Sequence, residues 1–108
     1  MGEDDIVISG ISGRYPKADN IEELWNNLIN GKEMYIADDS RWPVGYVGLP
    51  QLSGNLKDIT KVDADFFKMG EVESDFIDPQ YRIFHEVVYE SIYDSGIIPE
   101  ALRGSNTA

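Results

Sequence analysis

Hydrophobic positions fall into distinct patterns along the chain, and each predicts a different element. Ile6-Val7-Ile8 is a continuous β-branched run, closed by Ser9-Gly10-Ile11-Ser12-Gly13. A run without alternation suits a strand buried on both faces, as in a parallel sheet. No second run in the chain clearly flanks it, so this strand lacks partners. Further on, Ile21, Leu24, Trp25, Leu28 and Ile29 recur at i, i+3, i+4, i+7 and i+8 and build one apolar stripe. Asn20 stands where a cap is wanted, and Glu23 is placed to reach back to it, as in a capping box. Gly31 suits the left-handed residue after a helix. The pattern predicts a helix over 20–30.

Residues 38–62 break the periodicity: Gly45, Gly48, Pro50 and Gly54 punctuate them, and Asp38-Asp39-Ser40 marks a turn. So long an irregular stretch in a small domain signals a functional loop or a segment leaning on structure elsewhere. A second helix then starts sharply, with Asp78 as cap and Pro79 at the first helical position. Ile83, Phe84, Val87, Val88 and Ile92 share one half of its wheel, and Arg82, Glu86 and Glu90 the other. Gly96 ends it and Pro99 lies beyond. There are no internal repeats and no segments of low complexity.

Charge narrows the partners. Nine Lys and Arg face 20 Asp and Glu over 108 residues, a net charge of −11. Such a surface repels phosphate backbones and anionic lipid, so neither nucleic acid nor membrane is an expected partner. Residues 63–100 alone hold ten acids against Lys68 and Arg82, which reads as a solvated face. At 42% hydrophobic the composition is that of a globular chain. No apolar run approaches the roughly 20 residues of a membrane span. Met1-Gly2-Glu3-Asp4-Asp5 is acidic where a signal peptide is basic, and Ile6 breaks a myristoylation pattern. The expected location is cytoplasmic. With no Cys there is neither a disulfide framework nor thiolate chemistry.

Tests for a reactive centre fail in turn. His85 is the one histidine, so a zinc site would need carboxylates for every other ligand. It lies one turn from Tyr81 and Tyr89 and reads as a half-buried packing residue. Glu71, Glu73, Asp75 and Asp78 suggest a calcium loop, but Phe76 and Arg82 occupy the places of its Gly and Glu. Gly10-Ile11-Ser12-Gly13 suggests a nucleophile elbow, but Arg14 stands where the motif needs Gly. A glycine turn for close packing is the better reading. The pairs Asp38-Asp39 and Asp63 with Asp65 carry little weight in so acidic a chain. No catalytic, cofactor-binding or metal-binding residue is expected here.

The order of motifs nevertheless points to a family. Ile6–Pro16 leads to Glu23-Leu24-Trp25, then to Asp39-Ser40-Arg41-Trp42, Gly48-Leu49-Pro50 and Ser53-Gly54. Val62-Asp63-Ala64-Asp65-Phe66-Phe67 precedes Asp78-Pro79-Gln80-Tyr81-Arg82, and Asp94-Ser95-Gly96-Ile97 precedes Leu102-Arg103-Gly104-Ser105. From about Asp4 to Ala108 this resembles the start of the β-ketoacyl synthase domain of an animal-type fatty acid synthase, close to insect forms. Asp-Pro-Gln-x-Arg is the most specific piece and is shared with modular polyketide synthases. Arg41-Trp42 and Gly48-Leu49-Pro50 tilt the resemblance toward the fatty acid enzyme.

The resemblance implies an α/β, thiolase-like fold, of which residues 1–108 form an incomplete N-terminal portion. That portion has one buried strand, two amphipathic helices and a long irregular connection. The resemblance also implies condensation of a malonyl group, held on an acyl carrier protein, with an acyl chain held as an enzyme thioester. The family's nucleophilic Cys and two His lie downstream, so this segment supplies scaffold and no catalytic residue. Phosphopantetheine and NADPH belong to the complete synthase, and so do the implied partners: the rest of the domain, the acyl carrier protein and a second subunit. Val62, Lys68, Glu71, Ser74, Ser91 and Ser95 depart from the family pattern, and His85 stands where Leu is usual.

Gly104-Ser105-Asn106-Thr107-Ala108 falls where the family's next strand is expected. The chain is therefore expected to be a synthase piece, from a partial gene model or a truncated paralogue. Alone it should be partly helical and loosely packed, since unpaired buried backbone groups cost roughly 1–3 kcal/mol each. The alternative is a stand-alone, non-catalytic acidic protein that binds a synthase subunit through its apolar helix faces, or an inert remnant.

Overall fold

The computed structural model describes residues 5–107, which form two compact units. One comprises residues 13–59, and the other joins residues up to Ser12 to those from Thr60 onward.

In the first unit, Tyr15 and Ala18 exchange backbone hydrogen bonds of 2.8 and 3.0 Å across a turn with Pro16 and Lys17 at its corners. Helix α1 (Ile21–Ile29) follows. Asn20 Oδ1 accepts from Glu23 N at 2.8 Å, as the cap requires. Glu23, however, reaches one residue further back than expected: its Oε2 accepts from Asp19 N at 2.9 Å. The helix closes with Lys32 N on Asn27 O (2.9 Å) and Gly31 N on Leu28 O (3.1 Å), while Gly31 takes φ 61°. This pair of bonds around a left-handed glycine is a Schellman motif. The irregular stretch is tied by Ile36 and Ser53, which exchange bonds of 2.9 and 3.0 Å, and contains a single 3₁₀ turn, Tyr46–Gly48.

The second unit contains three further helices, α2 (Ala64–Phe67), α3 (Glu71–Phe76) and α4 (Pro79–Asp94), and a 3₁₀ turn, Pro99–Leu102. The hydrophobic pattern predicts only α4. Its cap is as read: Asp78 Oδ1 accepts from Gln80 N at 2.8 Å, Pro79 opens the helix, and Gly96 follows at φ 79°. Helices α2 and α3 are too short for an apolar stripe to repeat, so periodicity cannot find them. Asp63 caps α2 through Phe66 N (3.0 Å). Its far end is another Schellman pair, Lys68 N on Asp65 O and Met69 N on Ala64 O, with Lys68 itself left-handed at φ 54°.

One sequence expectation about the fold requires correction. Ile6-Val7-Ile8 is not a buried strand: no ladder forms at these residues, and Ile6 and Ile8 are 101% and 90% exposed. A strand needs a hydrogen-bonded neighbour, and among the described residues none lies alongside. The helices also leave their apolar stripes uncovered. Trp25, Leu28 and Ile29 of α1 and Phe84 and Val88 of α4 are exposed, while Ala18 is the one fully buried hydrophobic residue among those described.

Candidate functional site

The most constrained side chain is Arg82. The wheel places it on the polar half of α4, yet it is 8% exposed while its apolar neighbours face solvent. Nη1 donates to Thr60 O at 2.7 Å, and Nη2 to Ile77 O at 3.2 Å and Asp75 O at 3.4 Å. The planar guanidinium fork thus ties two carbonyls at the end of α3 to that of Thr60, in the irregular segment ahead of α2. Asp78-Pro79 sets the helix start and so fixes where Arg82 points. The Asp-Pro-Gln-x-Arg motif is in this chain a cap joined to a clamp.

Residues 10–12 lie along the far part of α4. A Cβ on Gly10 would overlap Ser91 O and stand 2.8 Å from Ser95 N, so only glycine permits this approach. Ser12 Oγ donates to Val87 O at 2.6 Å, and Ile11 N donates to Asp94 Oδ2 at 2.9 Å. The Ser12 hydroxyl is a fastener whose proton is committed to a carbonyl. Ser91, Ser95 and Ser74 leave no hydroxyl stranded. Their hydroxyls donate to Val88 O, Ile92 O and Glu71 O at 2.9, 2.6 and 2.8 Å, one turn back in each case.

Two open clefts flank α4. One, of about 360 Å³, lies between Val7–Gly10 and Ser91, Ser95, Ile97 and Leu102. The other, of about 320 Å³, is mostly apolar and is bounded by Phe67, Phe84, His85, Val88, Tyr89 and Ile92. Phe66, Phe67 and Tyr89 meet edge to face with ring centres 4.9–6.3 Å apart, and Tyr93 stacks on Tyr89 at 6.3 Å. His85 joins this array edge-on to Phe67 at 5.7 Å. It is exposed, not half-buried, because Tyr81 beside it turns to solvent as well. Its Nδ1 lies 2.7 Å from Tyr81 O, and since a carbonyl can only accept, that nitrogen carries a proton.

Asp38 and Asp39 order the turn they stand in. Asp38 Oδ1 accepts from Ser40 Oγ (2.5 Å), Ser40 N (3.0 Å) and Asn55 Nδ2 (3.5 Å), while Asp39 Oδ1 accepts from Val44 N (2.8 Å). The Ser40 hydroxyl, then its backbone N–H, hold the Asp38 carboxyl below its ordinary pKa. Glu23 is held low chiefly by the Lys57 ammonium, 2.6 Å from its Oε2, and next by the Asp19 N–H. Lys57 is raised by Glu23 and by Asp19, the latter at 3.1 Å. Among the described residues no group of three or more His, Cys, Asp or Glu is placed to hold a metal, and no helix is long and apolar enough to cross a membrane.

Comparison with known proteins gives this arrangement its context. The family described as Beta-ketoacyl synthase, N-terminal domain, matches residues 3–108. A fatty acid synthase of Anser anser anser is 47% identical over 104 residues, which cover 96% of this chain and 30% of that protein. Polyketide synthase PksL of Bacillus subtilis is 37% identical over 112 residues, covering 92% of this chain and 2% of its own length. Among solved structures, an oxazolomycin ketosynthase domain of Streptomyces albus superposes with a TM-score of 0.79 at 37% identity, covering 94% of this chain and 20% of that one. The ketosynthase from module 6 of the bacillaene synthase of Bacillus subtilis gives 0.77 at 37% identity, with 86% and 17% covered. The chain thus spans less than a third of the relatives it matches. The expected fold, the opening part of a thiolase-like α/β domain, stands on these neighbours. The chain belongs to the β-ketoacyl synthase family and matches its N-terminal domain.

Proposed function

We propose that residues 1–108 are the N-terminal portion of the ketosynthase domain of an animal-type fatty acid synthase and supply scaffold to its condensation reaction. One observation carries this reading. The family match runs over residues 3–108 without a cysteine, which supports a scaffold role for this segment and not that of acyl acceptor. In the complete enzyme a cysteine thiolate holds the acyl chain as a thioester. A malonyl group on a carrier phosphopantetheine loses CO₂, and the carbanion formed attacks the acyl carbonyl and expels the thiolate. Two histidines outside this segment stabilise the developing negative charge. NADPH serves the reductions that follow. The remainder of the domain, the carrier protein and a second subunit are the partners, in the cytoplasm.

Arg82, Gly10 and Ser12 support the scaffold role, since each spends its chemistry on backbone groups of α4 or its approach. The test is a chimera in which residues 1–108 replace the matching segment of a fatty acid synthase. Retained malonyl condensation is expected. A folded chimera that loads acyl groups but cannot condense would overturn the proposal.

The uncovered faces of α1 and α4 favour a second reading, a short non-catalytic protein that binds a synthase subunit. Immunoblotting of source tissue, with mass-spectrometric identification of residues 68–78, distinguishes the two. Those peptides in a very large band support the scaffold reading; in a band near 12.2 kDa they support the binding protein.

A further inference from the structure

We infer that Asn30-Gly31 is a site of spontaneous deamidation, gated by the Schellman motif that closes α1. This is the one Asn-Gly pair in the sequence; the other asparagines precede Ile21, Asn27, Leu28, Leu56 and Thr107. Glycine leaves the backbone nitrogen after Asn30 unshielded by any side chain, and both residues are exposed. The reaction needs only water. Gly31 N attacks Asn30 Cγ, the new N–Cγ bond closes a succinimide, and the Cγ–Nδ2 bond breaks. Nδ2 departs as ammonia, taking the proton released from Gly31 N. Water then opens the ring at either carbonyl, giving aspartate or isoaspartate.

The closed helix end opposes this attack. Gly31 N–H is held on Leu28 O at 3.1 Å, Asn30 Nδ2 on Asn26 O at 2.7 Å, and Asn30 keeps a near-helical ψ of 6°. All these restraints sit in the last turn, where helices open first. No basic side chain in that turn reinforces it. The product closes the turn less firmly, with the backbone bonds alone. A carboxylate at position 30 has no donor for Asn26 O and adds negative charge where the helix dipole is already negative. Deamidation therefore leaves the turn open for a larger share of the time.

The test follows the native polypeptide carrying this segment through incubation at mildly alkaline pH, with and without urea. Fragmentation mass spectrometry of the tryptic peptide Ala18–Lys32 locates the acid. Conversion at Asn30 is expected severalfold ahead of Asn26 and Asn27 in urea, in both aspartate and isoaspartate forms, and severalfold slower without urea. Conversion at Asn30 no faster than at Asn26 in urea would overturn the site, and equal rates in the two solutions would overturn the gate. Asn30→Asp in the same polypeptide should speed amide exchange at Gly31 and Lys32 severalfold; unchanged exchange would overturn the larger open share.

Discussion

Gly10 and Ser91 approach so closely that no side chain fits between them: a Cβ on Gly10 would overlap the Ser91 carbonyl and press on Ser95 as well. The obstacles are backbone atoms of α4, which cannot swing aside. Gly10→Ala should push residues 10–12 off the helix and cost about 1–3 kcal/mol by overpacking. Loss of slow amide exchange at Ile11, whose N–H donates to Asp94, together with a lower urea midpoint, is the expected result.

Arg82 joins the carbonyls of Thr60, Asp75 and Ile77. Arg82→Ala should cost about 3 kcal/mol, because bonds from a charged donor are worth roughly 1.5–3 kcal/mol each and do not add fully. Arg82→Lys should recover little, since an ammonium cannot reproduce the fork that reaches Thr60, Asp75 and Ile77 together. Urea titration of the two variants in the intact polypeptide checks both statements.

Lys68 holds a left-handed conformation that glycine adopts freely. Its Nζ appears in no ion pair described above, and its backbone alone makes the bond that ends α2. Lys68→Gly should therefore stabilise the second unit by about 1 kcal/mol. Thermal melting of the variant should shift upward.

Those residues also mark how far the sequence could be read. Capping chemistry is local, so Asn20 and Gly31, and Asp78-Pro79 and Gly96, announce α1 and α4 without reference to the rest of the chain. Arg82 could not be placed this way, because its acceptors are carbonyls outside its own helix, as far back as Thr60. Periodicity assigned it to the polar face, and burial reversed the assignment. Ile6–Ile8 reads as a buried strand, but pairing is not local, and among the described residues no strand lies alongside it. For the candidate site, the sequence reads the turn around Ser12 as close packing and gives the Asp pairs little weight as reactive centres. That Ser12 fastens onto Val87 O needed the three-dimensional contact.

The Lys57 pair gives a pH dependence with a definite sign. Glu23 is lowered when folded, so its contribution is complete above its ordinary pKa of 4.5 and is lost as pH falls through the lowered value. Lys57 is raised, so its contribution is complete below 10.5 and is lost as pH rises through the raised value. Both groups lie near the surface, and salt should weaken the pair. In an NMR titration the Glu23 carboxyl should move back toward its ordinary value in Lys57→Met; an unchanged midpoint would show that the Asp19 N–H is sufficient.

The division of the chain at residues 13–59 has a spectroscopic consequence. Both tryptophans, Trp25 and Trp42, fall inside that stretch, whereas the Phe66–Phe67–Tyr89–Tyr93 array falls outside it. Indole emission reports on α1 and the irregular stretch after it. The imidazole protons of His85, set against Phe67 within the array, report on the other unit. One sample thus carries two independent optical and magnetic probes. A denaturant series followed by both would reveal whether the units melt together or one after the other.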